Sequence, residues 1–178
     1  MSELNFKKLE NELDELVSFM TNHYWNFHSN PNLSQRQIIN AYNEGWYQED
    51  RETYWIENKN KKIGLIIIHD ISDTIPLFDI RLDNNVRGKG YGTKVVRWIT
   101  DYIFGLPDNK IRIEAYTRSD NIAMRKTLNK CGFVKEGYLR CAWENDDGSV
   151  SDSICYAIIR DDWESKALTP IKLNDLPF

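Results

Sequence analysis

Seven consecutive residues carry the clearest chemistry in this sequence: Arg87-Gly88-Lys89-Gly90-Tyr91-Gly92-Thr93. Glycines at alternate positions let a backbone fold tightly enough for successive N–H groups to converge on one point. The residues before the loop, 75–82, are apolar and strand-like. Those after it, 93–104, carry Val95, Trp98, Ile99, Tyr102 and Ile103 at helical spacing. A helix opening at the loop adds unpaired N–H donors and the positive end of its dipole, and Arg87 and Lys89 add formal charge. Together these make an anion site suited to a diphosphate.

Position excludes two common phosphate loops. A nucleoside-triphosphate loop needs G-x-x-x-x-G-K-[S/T], but Asp83 stands at its first glycine and Gly90 follows Lys89. A dinucleotide fingerprint needs glycine at the third position after Gly90, where Thr93 sits. The spacing Arg-x-x-Gly-x-Gly instead resembles the pyrophosphate loop of the GNAT N-acetyltransferases, which lies between their fourth strand and third helix. A second segment, Asn121 through Ala123 to Gly132-Phe133, is similar to that family's N-x-A…G-F signature. It is followed by Glu136-Gly137-Tyr138-Leu139-Arg140, Asp147-Gly148 and Asp152, a tail similar to the branch that includes the ribosomal-protein alanine N-acetyltransferases. The resemblance covers nearly the whole chain.

The resemblance implies acetyl transfer from acetyl-coenzyme A to a primary amine, most simply a protein N-terminal α-amine or a small amine. A polyamine or aminoglycoside acceptor, or an acyl-coenzyme A sensor without turnover, are the alternatives. It places the cofactor diphosphate on the backbone of Arg87, Gly88, Lys89, Gly90, Tyr91, Gly92 and Thr93, with the two basic side chains free to reach solvent or the 3′-phosphate instead. The pantetheine arm falls beside Ile80, Arg81 and Leu82, where a strand N–H would polarise the thioester carbonyl. Asn121 matches the asparagine that binds the cofactor arm, although a residue starting a helix also bonds its own backbone; Arg125 and Lys126 sit near the phosphates. Glu114 matches a frequent base position, against which stands an ion pair with Arg112. Many relatives carry a tyrosine as thiolate-protonating acid where this chain has Leu128. Trp46, Tyr47 and Trp143 would wall the acceptor pocket, and Glu144, Asp146, Asp147 and Asp152 would attract a cation. Of these acids Asp152 matches a residue typical of the branch. An α-amine, with pKa near 7.7–8.0, needs less help to lose its proton than a lysine side chain near 10.4.

The elements around these residues follow from periodicity. Residues 4–9 read as a first strand. Asn11 with Asp14 starts a helix through Leu13, Leu16, Val17 and Met20, and Ser34 with Gln37 forms a capping box before a second helix through Ile38, Ile39, Tyr42 and Trp46. The aromatic stretch 23–32 between them reads as a loop. Strands follow at 53–57 and 63–70, the second an unbroken apolar run of the kind covered on both faces. The loop and its helix come next, then a strand at 110–117, a helix at 121–131 capped by Asp120 and stopped by Gly132, and strands at 133–143 and 150–160. The order β-α-α-β-β-β-α-β-α-β-β predicts a three-layer α/β/α domain with a mixed sheet, which is also the layout the family implies.

At 178 residues the chain reads as one domain over 1–178, with a core of about 4–163 and a tail at 164–178. A formal charge of −4 argues against a general nucleic-acid binder and suits a cationic acceptor. Cys131, Cys141 and Cys155 lack C-x-x-C spacing, and His23, His28 and His69 lack metal-ligand spacing, so free thiols and no structural metal are expected. Residues 1–9 are polar, and the longest apolar run, 63–68, is too short to span a bilayer, so no membrane partner and a cytoplasmic location are expected. A homodimer is the assembly such a domain would allow.

Overall fold

The computed structural model describes residues 3–172 and Asp175; residues 173, 174 and 176–178 of the expected tail, and 1 and 2 at the other end, lie outside the described part. Seven strands are formed, β1 (Leu4–Lys8), β2 (Arg51–Asn58), β3 (Lys61–His69), β4 (Leu77–Leu82), β5 (Arg112–Arg118), β6 (Val134–Glu144) and β7 (Val150–Ile159). They make a single mixed sheet in the order β1-β2-β3-β4-β5-β7-β6. Its first four strands are antiparallel neighbours, β4 and β5 run parallel, and β5, β7 and β6 are antiparallel again.

Among the described residues five α-helices accompany the sheet: α1 (Leu13–Thr21), α2 (Gln35–Asn43), α3 (Tyr91–Phe104), α4 (Ile122–Lys130) and α5 (Arg160–Ser165). Successive residues of β3 point to opposite faces. Leu65 and Ile67 join Leu16, Trp25 and Ile38 in the core under α1 and α2, while Ile66 and Ile68 join Val95, Ile99 and Leu128 in the core under α3 and α4. That double coverage is why its sequence is apolar without alternation. The three-layer α/β/α fold is the one expected.

Several boundaries differ from the sequence reading. The capping box at Ser34 and Gln37 is present, but α2 stops at Asn43, so Trp46 and Tyr47 lie in the turns leading to β2. Glu12, not Asn11, precedes α1 and makes no capping bond, because its carboxylate is held by Lys7, Lys62 and Trp55. Asn121, not Asp120, caps α4. Lys110 lies outside β5 and is buried, donating to the carbonyls of Ile71 and Asp73 and so pinning the turn that leads into β4. The expected last strand ends at Ile159, and α5 follows at once, with Trp163 packed on Phe104 of α3. No helix among the described residues is long and apolar enough to cross a membrane.

Candidate active site

The sheet opens in its middle. Glu114 N donates to Pro76 O at 3.0 Å, and Leu77 opposite Glu114 is the single register pair joining β4 to β5. Beyond it the strands diverge. At the far end of β4, Asp83 N donates to Ile63 O on the other side, at 2.9 Å. By alternation the N–H groups of Ile80 and Leu82 therefore face the gap. The carbonyl of Leu82 does too, and Arg87 Nε donates to it at 3.0 Å.

Asp83 also caps the short 3₁₀ turn Asn84–Val86, accepting from Asn85 N at 2.8 Å. The glycine loop then turns through Gly88 at φ +74° and Gly90 at φ +81°, a region closed to most side chains. Gly90 is the residue before α3 and brings no capping side chain. The first-turn N–H groups of Tyr91, Gly92 and Thr93 have no partner within the helix, so this end can hold an anion with donors and dipole together. Tyr91 is anchored by Asn58, whose Nδ2 donates to its hydroxyl at 2.8 Å. α3 begins at Tyr91, two residues earlier than the periodicity suggested, which draws the loop and the helix start into one unit.

Of the residues expected near the cofactor, Lys89 and Lys126 are exposed. Arg125 is not directed outward: its Nη1 donates to Ser119 O at 2.7 Å and fixes the turn between β5 and α4. Asn121 does both things its position allows. Its Oδ1 accepts from Met124 N at 3.2 Å, and the residue borders the gap between the strands.

A cavity of about 400 Å³ passes through this gap. On the α4 side it meets Phe78, Ile80, Ala115, Asn121, Met124 and Leu128. On the α1 side it meets His28, Trp46, His69, Asp79, Tyr116 and Trp143, along with Arg81. Trp46 and Trp143, two of the residues expected to wall an acceptor pocket, both border it. His28, His69 and Asp79 were missed, and Arg81 was expected for its backbone alone. The signal for them lies in register: Ile67 pairs with Asp79 and Leu65 with Arg81, so these polar side chains share the face that Leu65 and Ile67 turn toward α1. Burial alone would raise the Asp79 pKa, but His28 and Arg81 outweigh it and hold the carboxyl far below the usual range. Burial lowers the His69 pKa, outweighing nearby Asp79, so its ring is neutral at pH 7.

Two of the expected site residues lie outside this lining. Glu114 does not border the cavity: Arg112 Nε donates to its Oε1 and Tyr116 OH to its Oε2, both at 2.8 Å. On a strand, residues two apart share a face, which is why the ion pair forms. Asp152 is not at the cavity either. Between Leu139 and Trp143, β6 takes four steps where β7 takes two, from Ser153 to Ser151. This bulge carries Cys141 at φ +51°. Cys141 N donates to Asp152 Oδ1 at 2.8 Å and Tyr138 OH to Oδ2, so Asp152 secures the bulge that swings Trp143 inward. Asp147 is likewise spent locally, accepting from Ser149 N at 2.9 Å. Glu144 and Asp146 do not border the cavity.

This arrangement supplies an anion cradle at one end, unpaired strand N–H groups in the middle and a polar, aromatic chamber at the other end. Such a channel can hold an extended, phosphorylated arm, polarise a carbonyl at its tip and admit a second reactant from the opposite face. Among the described residues no cluster of three or more His, Cys, Asp or Glu side chains could hold a metal ion.

The Acetyltransferase (GNAT) domain family matches residues 3–134. Among curated proteins no sequence match is found. Among solved structures, the chain is similar to spermidine N-acetyltransferase from Vibrio cholerae in complex with CoA and spermine, at 22% identity, covering 90% of this chain and 98% of that one, with TM-score 0.77. It is also similar to the dodecameric structure of spermidine N-acetyltransferase from Vibrio cholerae, at 21% identity over 92% and 97% of the two chains, with TM-score 0.75. A chimera from Vibrio cholerae and hSSAT superposes with TM-score 0.79 at 21% identity, over 92% and 99% of the chains. At these identities the likeness is one of fold. The neighbours named here are spermidine enzymes, not members of the ribosomal-protein branch.

Proposed function

The chain belongs to the GNAT acetyltransferase family, and from that premise we propose that its cavity brings acetyl-coenzyme A and a primary amine together and acetylates the nitrogen. The observation that carries the proposal is the break in the sheet, where the N–H groups of Ile80 and Leu82 face the gap and Ile80 borders the same cavity as Asn121. The site suits the cofactor: an extended arm could pair with the free edge of β4, and its diphosphate with the first turn of α3.

In this reading the backbone from Gly88 to Thr93 holds the diphosphate, and Lys89 and Lys126 add screening charge. Asn121 keeps its Nδ2 donor for the arm. The cofactor, when bound, supplies an activated thioester. The N–H of Ile80 would be placed to donate to the carbonyl oxygen as negative charge grows there, an effect of a few kcal/mol in comparable sites. Phe78, Met124 and Leu128 line the path with apolar surface and keep water from the reacting carbon. Leu128 offers no proton, and Tyr116, which borders the cavity, already gives its own to Glu114, so a departing thiolate would take up the proton that the attacking nitrogen loses.

The acceptor has two readings. A protein N-terminal α-amine came first from the sequence and a polyamine second; the spermidine enzymes among the structural neighbours support the polyamine more. The dodecamer reported for one of them supports an oligomeric assembly, which light scattering would read.

Two measurements test the proposal. Acetyl-coenzyme A at about 100 times its dissociation constant should stabilise the fold by about 2.7 kcal/mol, and adding an amine should release free thiol. No stabilisation would reject the proposal; stabilisation without thiol release from any amine would leave a binding protein without turnover.

A further inference from the structure

The acceptor side of the cavity has one carboxylate among its described lining residues, and both of its oxygens are engaged. Asp79 Oδ1 lies 2.8 Å from His28 Nε2, and Oδ2 accepts from Arg81 Nε at 3.2 Å. From the loop between α1 and α2, residues 27–30 line this side, and none of them is Asp or Glu. An ammonium group entering here finds no unspent counter-charge, and a buried cation without one is costly.

Hydrogen-bond donors, by contrast, are in surplus. Arg81 Nη1 and Trp143 Nε1 are buried with no partner, although folded proteins pair nearly all such atoms. His69 adds a third donor. Arg51 Nε donates to its Nδ1 at 3.0 Å, so Nδ1 must accept and the ring proton sits on Nε2. His28 Nδ1 is buried without a partner as well, while His28 Nε2 donates to the Asp79 carboxylate.

We infer that the acceptor carries a hydrogen-bond-accepting oxygen, a carboxylate or carbonyl, close to its amine, as in an amino acid, its amide or a peptide N-terminus, and is not a polycation. Arg81 and Trp143 bond that oxygen with His69 beside them, while the amine turns toward His28 and the thioester. Because Asp79 already balances the Arg81 charge, a neutral carbonyl is accommodated as well as a carboxylate. The inference rests on the acetyl-transfer reading above and narrows its acceptor.

The test compares wild-type kcat/KM, by release of coenzyme A thiol, for leucine, leucinamide, isoamylamine and spermidine. These share a primary amine, and rates are expressed per neutral amine so that differing amine pKa values do not count. Leucine or leucinamide should exceed isoamylamine and spermidine by about tenfold or more, the worth of one charge-assisted hydrogen bond. Leucine ahead of leucinamide identifies a free amino carboxylate; the reverse identifies a peptide-like N-terminus. Trp143→Phe, which keeps the ring and removes the N–H, should narrow the gap to isoamylamine by roughly threefold or more. Spermidine or isoamylamine matching the oxygen-bearing amines overturns the inference and leaves acetyl transfer standing. An unchanged gap in Trp143→Phe overturns the place given to Trp143. Bound cofactor with no thiol release from any of the four overturns both readings.

Discussion

Arg87 Nε lies 3.0 Å from the carbonyl oxygen of Leu82, so the first charged side chain of the glycine loop is tied back to the strand it leaves. The same guanidinium sits 5.9 Å from the ring centre of Trp25. Arg87 thus sets the exit of β4 against the loop through geometry as well as charge.

Arg87→Lys separates the two effects, because lysine keeps the charge but lacks the fixed Nε–H of the guanidinium. We expect Arg87→Lys and Arg87→Ala to weaken coenzyme A binding alike, by about three- to tenfold, in isothermal titration. Full affinity in Arg87→Lys would show that charge alone matters.

Asp152 should act on the acceptor without touching it. In Asp152→Asn the bonds from Cys141 N and Tyr138 OH weaken together, the bulge relaxes and Trp143 loses its place. The expected signature is a raised KM for the amine with an unchanged coenzyme A dissociation constant. Equal losses in both would mean that the hairpin as a whole had come apart.

Glu114→Gln removes a partner of Arg112 and Tyr116 but nothing that borders the cavity. The variant should lose about 1–3 kcal/mol in denaturant unfolding, while its pH–rate profile keeps the wild-type shape. Loss of an acid-side limb would restore Glu114 as the base.

The loop and its helix were legible because their signals are local: Gly88 and Gly90 announce positive φ, and Val95, Ile99 and Ile103 repeat at helical spacing. β3 was legible from its apolar run. The acceptor chamber was not. Asp79 and Arg81 alternate with Phe78 and Ile80 as though they faced solvent, and only the register of β4 against β3 puts them under α1. The residue type alone marks Trp143, yet its inward turn depends on a bulge fixed from the opposite strand. α5 leaves no clear trace in the sequence, because six largely polar residues carry too little periodicity to be distinguished from the end of a strand.

Glu12 predicts the acid limb of stability. Burial alone would raise its pKa, but hydrogen bonds and charge from Lys62 and Lys7 outweigh burial and bring it from 4.5 to about 2. A carboxyl lowered in the folded state stabilises the fold above its unfolded pKa, and that stabilisation disappears as pH falls through the folded value. The unfolding free energy of Glu12→Gln should therefore lie below wild type at pH 7, and the two should converge as pH falls from about 4.5 toward about 2. A difference that stays constant across that range would remove the ion pairs as its source.

In the mechanism proposed above, the gap between β4 and β5 makes the polarising donor a main-chain amide, and this bears on how the protein can change over time. Residue 80 can drift among apolar types without loss of that donor; proline alone deletes it. The chamber beyond is built of side chains, each open to replacement one at a time. A lineage of such proteins can therefore keep its acyl donor for as long as the sheet folds, while the amine it serves changes with a handful of substitutions.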